Sequence, residues 1–182
     1  KVDIVVLLGD VKHDFGGIMK QEWNDVLQLF NYLKDKLEKN GKIIVTRGNH
    51  DNFLKTVAWK FKENKIEIVE YFKIGKYCFL HGDKIYSIVS NNDVKTIVLG
   101  HGHPAITLKD GIKSEKYKCF LEGKWKGKKI IILPSFIEYG EGSDPRESDF
   151  MSNWRFNLDN FGVKVINNME ILDFGKIKKL KV

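Results

Sequence analysis

The sequence predicts an α/β protein in which two β-sheets pack face to face with helices outside. Three observations point there. The first half alternates strand-sized apolar runs with one strongly amphipathic stretch. The second half, after Pro104, is a succession of short β-rich runs separated by Gly, Asn and Lys turns. The length, 182 residues, fits one domain over residues 1–182.

Val2–Leu8 reads as a buried strand that ends at Gly9-Asp10. Gln21–Asn40 is the clearest helix: Trp23, Val26, Leu27, Phe30, Leu33 and Leu37 recur on one face, and Gly41 supplies a stop. Lys42–Thr46 is the next apolar strand, and Phe53, Val57 and Phe61, spaced by four, predict a short helix. Ile66–Val69 and Tyr77–Leu80 read as strands on either side of Gly75, followed by Lys95–Leu99. Beyond Pro104 the strands are Ile106–Leu108, Lys116–Leu121, Lys129–Leu133, Val163–Ile166 and Glu170–Phe174, with no helix of useful length. Lys124, Lys126, Lys128 and Lys129 around Gly127 read as a solvated hairpin turn, and Lys176–Lys181 as an edge strand guarded by charge. Pro134–Ser152, with Gly140, Gly142 and Pro145, is a long surface loop of a length that is often functional. Its Phe136, Tyr139 and Arg146 either flank a substrate mouth or pack in the ordinary way.

Apolar residues at 42% and charged residues at 30% allow a sizeable core and exclude disorder. The longest apolar runs, Ile4–Leu8 and Ile130–Leu133, are strand-sized, so no membrane span is expected. The chain opens directly into a strand-like segment, and no secretory signal is read there. Cys78 and Cys119 lie far apart without metal-finger spacing and are expected as buried thiols in a reducing, cytoplasmic setting. The formal net charge is +7, which favours anionic partners. Only Arg47, Arg146 and Arg155 are arginines, so the basic surface is diffuse and lysine-borne, without the forks that read bases.

The histidines are His13, His50, His81, His101 and His103. Four of them follow an apolar strand through a glycine or short polar turn, in IIVTRGNHD, YCFLHG and TIVLGHGH, and Asp10 does the same in VVLLGD. Residues beyond the carboxyl ends of strands can converge on one rim of an α/β sheet. Imidazoles with a carboxylate and an amide oxygen form a mixed N/O donor set that suits Mn, Fe, Ni, Co or Zn, and the lack of thiolates argues against a structural zinc. A two-metal hydrolytic centre needs ions roughly 3.5–4 Å apart, a role Asp10 can serve as the bridging carboxylate.

The ordered series Gly9-Asp10, Gly48–Asp51 (GNHD), His81-Gly82 and Gly100–His103 (GHGH) resembles the calcineurin-like metallophosphoesterase superfamily. The HPAIT and LPSF segments, the GDxxH spacing to His13 and the Arg47 before GNHD further resemble the small archaeal and bacterial branch described as DNA-ligase-associated. The resemblance implies a four-layer αββα sandwich and two divalent metal ions, Mn in the first instance. It implies Asp10 as the bridge, Asn49, His81 and His101 as ligands of one site, and His103 as a ligand of the other. His50 would act as general acid toward the phosphate, oriented by Asp51, with a metal-bridging hydroxide attacking phosphorus in line. A phosphodiester of a nucleotide or nucleic acid is the implied substrate, and a phosphomonoester the alternative.

One departure stands out. The family carries a D-x-H motif one strand–helix unit before its GD, whereas KVDIVVLL precedes Gly9 here and no spare histidine exists. A missing central strand would leave unpaired sheet edges, so the chain is expected to be an N-terminally incomplete view of a longer protein. Otherwise it is a degenerate relative that serves as a scaffold, or a basic nucleic-acid-binding module. Residue by residue, Asp10 could be a turn or N-cap residue and Asp51 a helix N-cap. His13 is either a solvated loop residue or faces a phosphate. Arg47 either grips a phosphate oxygen or forms a surface ion pair. Trp23, Trp59, Trp125 and Trp154 read most simply as core or hydrophobic surface residues.

Overall fold

The computed structural model describes all residues except 12–19, 52–53, 55, 57–64, 138–139, 148, 168–169 and 181–182. His13, Trp59, Tyr139 and most of the short helix expected over Phe53–Phe61 therefore lie outside the described residues. The chain divides into two compact units: Lys1–Phe72 with Phe79–His81, and Lys73–Cys78 with Gly82–Val182. The architecture is mixed α/β, with two sheets and, among the described residues, one α-helix.

In the first unit β1 (Val2–Leu7), β2 (Leu37–Thr46) and β3 (Ile66–Val69) form a parallel sheet in that order. α1 (Lys20–Lys36) lies between β1 and β2 in sequence, as parallel neighbours require a crossover. Val26, Phe30, Leu37, Ile43, Val45 and Leu54 are the buried centre, and Trp23, Leu27, Leu33, Val5 and Leu7 pack against it. Glu22 in the first turn of α1 and Lys34 and Lys36 in the last complement the helix dipole.

The helix stops four residues short of the expected Asn40. Leu37 pairs with Val2 as the first residue of β2 and is buried there, so sheet pairing overrides the helical spacing. The register then jumps from Val2 opposite Leu37 to Ile4 opposite Lys42, leaving Glu38, Lys39 and Asn40 exposed. Gly41 serves this irregularity instead of a helix cap: a Cβ on it would stand 2.9 Å from the Leu37 Cβ.

The remaining strands are β4 (Phe72–Ile74), β5 (Tyr77–Leu80), β6 (Thr96–Leu99), β7 (Ala105–Asp110), β8 (Lys113–Trp125), β9 (Lys128–Ile132), β10 (Gly162–Asn167) and β11 (Glu170–Lys176). Their order is β11-β10-β8-β9-β6-β5-β4, with β7 paired to β8. β6 and β9 are parallel, while β8 runs antiparallel to β7, β9 and β10. The expected hairpin at Gly127 is present: Lys126 and Gly127 have φ 47° and 79°, both positive as a two-residue loop with matching twist requires. The short strand β4 was not anticipated, and β8 is longer than the expected Lys116–Leu121 because β7 pairs along its first half. At one edge β11 is exposed throughout, and Ile177–Lys179 is a 3-10 turn with Ile177 buried, in place of the strand expected there.

Trp154 is fully buried and meets Trp125 and Phe156 at ring separations of 5.1 and 5.3 Å, and Phe156 meets Phe161 at 5.4 Å. Gly123 makes room for this cluster, since a Cβ there would lie 2.4 Å from the Phe161 ring. Cys78 and Cys119 are both buried and free, and burial pushes their thiols up to about 11 and about 12. Among the described residues no helix is long and apolar enough to cross a membrane.

The long loop is fastened by Asp144, which is almost fully buried. Its carboxylate accepts from the Arg146 main chain at 3.0 Å, from Arg146 Nε at 2.8 Å and Nη2 at 2.6 Å, and from the Thr107 amide at 3.0 Å. Arg146 Nη2 also donates to the Thr107 carbonyl at 3.0 Å. Arg146 is thus engaged in packing, while Phe136 is fully exposed. Burial alone would raise the Asp144 carboxyl, but the Arg146 and Thr107 bonds outweigh it and hold the group at about 2 against an ordinary 3.8. A carboxyl depressed on folding stabilises above its ordinary value and loses that contribution as pH falls through the folded one. Urea unfolding should therefore show wild type losing stability between 3.8 and about 2. Asp144→Asn should start less stable and lose less over the same interval.

Candidate metal centre

In the parallel sheet Leu7 lies opposite Val45, so β1 and β2 end nearly level and release their loops side by side. Gly9 and Gly48 let those loops touch. Gly9 has φ 78°, and a Cβ on it would lie 2.6 Å from the Thr46 carbonyl and 2.7 Å from His81 Nδ1. A Cβ on Gly48 would fall 2.1 Å from Asp10 Oδ1.

Asp10 sits in left-handed backbone at φ 48°, a region aspartate tolerates better than most side chains. What holds it is Asp51, buried to 4% exposure. The Asp51 carboxylate accepts from the amides of Asp10 at 2.8 Å, Val11 at 2.9 Å and Gly48 at 2.8 Å. One side chain thereby ties the Gly9-Asp10 turn to the GNHD turn. The expectation for Asp51 was to orient His50, and the main-chain clasp is a task that reading did not contain. His50 in turn donates its amide to Asp10 Oδ1 at 3.0 Å.

His81 is 2% exposed and its Nδ1 lies 2.6 Å from the Leu8 carbonyl. A carbonyl only accepts, so Nδ1 carries the proton and donates. Nε2 then faces Asp10 Oδ2 at 3.2 Å and Asn49 Oδ1 at 3.2 Å. Lone pairs on a neutral imidazole nitrogen and a carboxylate repel at that distance unless a cation, a second proton or a metal ion, sits with them. Burial raises the Asp10 carboxyl, but the hydrogen bond and charge of His81 and the amide and charge of His50 outweigh it and hold the group below its ordinary value. A histidine fixed through one nitrogen on a backbone carbonyl, with the other aimed at oxygen donors, is the usual arrangement of a metal ligand. The residues present therefore fit a hard or borderline divalent ion.

In the second unit His101 and His103 follow β6, half-buried, with φ 59° and 45°. Gly102 allows close packing, since a Cβ would lie 2.8 Å from Met151 Sδ. Arg47 is exposed, with Nη1 3.8 Å from Glu70 Oε1, as in the ion-pair alternative. Trp154 is buried, as its reading as a core residue expects, whereas the three-amide clasp of Asp51 and the Arg146 and Thr107 bonds of Asp144 were missed.

The family model for calcineurin-like phosphoesterase matches residues 1–167, and the chain belongs to that family. No curated protein matches it by sequence. Among solved structures it is similar to a double mutant of Vps29 from Entamoeba histolytica, at 15% identity, covering 93% of this chain and 99% of that one with a TM-score of 0.35. It is also similar to wild-type Vps29 from the same organism complexed with Zn²⁺, at 16% identity, covering 92% and 88% with a TM-score of 0.33. Membership of the family rests on the sequence model and not on these distant likenesses.

Replacing Asp51 by Asn should keep the shape but aim an NH2 group at main-chain donors. The expected cost is about 1–3 kcal/mol in urea unfolding. Unchanged stability in that variant would mean that the three-amide clasp does not hold the two turns together.

Proposed function

We propose that the chain is a metal-dependent phosphoesterase. The observation that carries this reading is His81, anchored on the Leu8 carbonyl, with Nε2 between oxygens of Asp10 and Asn49. Asp10, Asn49 and His81, with His101 and His103 supplied by the GHGH motif, are the proposed ligands of two divalent ions. Mn is the first candidate, and Fe, Ni, Co and Zn share the same donor preferences. Such ions polarise phosphoryl oxygen and lower the pKa of water, which is the chemistry this centre would gain from them.

The chain's own residues supply the rest. Asp51 holds the GNHD turn, and the His50 amide on Asp10 fixes where the imidazole of His50 starts. His50 is proposed to protonate the leaving oxygen. His13 and Arg47 are proposed to contact the phosphate. The substrate is proposed to be a phosphodiester of a nucleotide or nucleic acid. The resemblance of the HPAIT and LPSF segments to the DNA-ligase-associated branch and the +7 charge support that choice over a phosphomonoester. The proposed setting is cytoplasmic.

Hydrolysis of bis-p-nitrophenyl phosphate and of p-nitrophenyl phosphate should be compared with Mn²⁺ present and after EDTA. The proposal expects Mn²⁺-dependent turnover with the diester preferred. His50→Ala should lower kcat by about 10²–10⁴-fold with bound metal unchanged by elemental mass spectrometry. Equal loss of metal would remove the general-acid role, metal-free protein with full turnover would end the metal-dependent reading, and Mn²⁺-loaded protein with no turnover of either ester would end the phosphoesterase reading.

A further inference from the structure

The GHGH turn holds two histidines in left-handed backbone, His101 at φ 59° and His103 at 45°. L side chains adopt that region only at a cost, and such conformations persist where the surroundings over-determine them. In the second unit much of that support comes from Gly142, Ser143, Phe150 and Met151. The Ser143 amide donates to the His103 carbonyl at 2.9 Å, and the Ser143 carbonyl accepts from Ala105 at 2.9 Å. Gly142, at φ 82°, passes so close that a Cβ would lie 2.4 Å from the His103 carbonyl oxygen. Phe150 and Met151 close over Gly102, where a Cβ would meet them at 2.9 and 2.8 Å. Trp154 Nε1 donates to the Gly82 carbonyl at 2.7 Å, so the same segment also grips the turn that follows His81.

Next to Ser143 the segment carries a side-chain clasp. Asp144 and Arg146 form a five-bond clasp whose outer partners are the amide and carbonyl of Thr107, in β7 beyond His103. Without the clasp, Ser143 would be held to the His103 strand by its own two main-chain bonds, with the exposed Lys116 Nζ on the Gly142 carbonyl at 3.4 Å beside them.

We propose that Asp144 and Arg146 are positioning residues for His103: they hold Ser143 against its carbonyl, keep the turn left-handed, and so set the affinity of the metal that His103 binds. The affinity half of this rests on the metal-centre reading under the proposed function. The backbone half does not. Neighbours that orient a metal ligand typically change affinity 10–100-fold when removed.

The test has two readouts on the full chain. Amide hydrogen exchange of Ser143 and Ala105 is followed in metal-free protein, and Mn²⁺ affinity is titrated by the EPR signal of free ion. Arg146→Ala should speed both amides and weaken Mn²⁺ about 10-fold. Val165→Ala, a cavity in buried β10, should lower stability and leave Mn²⁺ affinity alone. Gly142→Ala, which presses on the His103 carbonyl with the clasp intact, should also weaken Mn²⁺ and serves if Arg146→Ala does not fold. Unchanged exchange in Arg146→Ala overturns the proposal, as does faster exchange with unchanged affinity. Wild-type protein that takes up no Mn²⁺, Zn²⁺ or Ni²⁺ overturns the metal-centre reading and the affinity half with it. That outcome differs from failure of the clasp alone, in which wild type binds and the variants bind equally well.

Discussion

A single buried carboxylate sets the geometry of the first unit. Asp51 accepts three main-chain amides drawn from two loops that are 40 residues apart in sequence. A carboxylate this deep would be costly if unpaired, and the three N–H donors take the place of its water. The reverse also holds, because each amide would otherwise be left at a loop end with no strand to pair with. Asp51 therefore solves the solvation of both loops at once, and in doing so fixes where Asp10 can be. The left-handed φ of Asp10 and the near-contact of Gly9 with Gly48 follow from that tie.

The sheet makes this clasp available. Parallel β1 and β2 end level, so their following loops leave the same edge, where ligands gather in α/β folds. The end of β1 then serves twice. Leu8 offers its carbonyl to His81 Nδ1, and two residues later Asp10 offers its carboxylate to His81 Nε2. The tautomer of His81 and the oxygen it faces are both set by one strand end. Rotating the ring to favour a different partner would cost the Leu8 bond. An imidazole held this way is prepared for a cation before one arrives, which is what preorganised metal sites share.

Much of this was legible in the sequence because it depends on local pattern. Apolar runs gave Ile66–Val69 and Tyr77–Leu80 with their observed limits, and Gly127 among its lysines marked the hairpin because glycine takes positive φ without strain. The motif residues Asp10, Asn49 and His81 could be found because each closes an apolar strand. The end of α1 could not, since Leu37 satisfies the helical face and the strand equally and only pairing with Val2 decides. Nor could the three amides on Asp51, or the reach of Arg146 to Thr107, because those partners are backbone groups that every residue carries. Side-chain identity says that a carboxylate is present, and only the fold says which N–H groups surround it.

The two units use the same device at their strand ends. Of the six non-glycine residues with positive φ among those described, Asp10, His101 and His103 lie in the motifs, and Met151 and Arg155 flank the short turn that carries Trp154. Only Lys126, in a hairpin, stands apart. Backbone strain is thus concentrated where the side chains of the motifs are aimed off the end of a strand, and in the segment that braces one such turn. Each strained turn has beside it a buried carboxylate bonded to main-chain amides, Asp51 beside Asp10 and Asp144 beyond His103. A carboxylate suits this task because its two oxygens accept several amides at once in a fixed fan, which a hydroxyl or a hydrophobic contact cannot do. These three carboxylates therefore divide by burial and partner. Asp10 turns an oxygen toward His81, whereas Asp51 and Asp144 spend both oxygens on holding the chain.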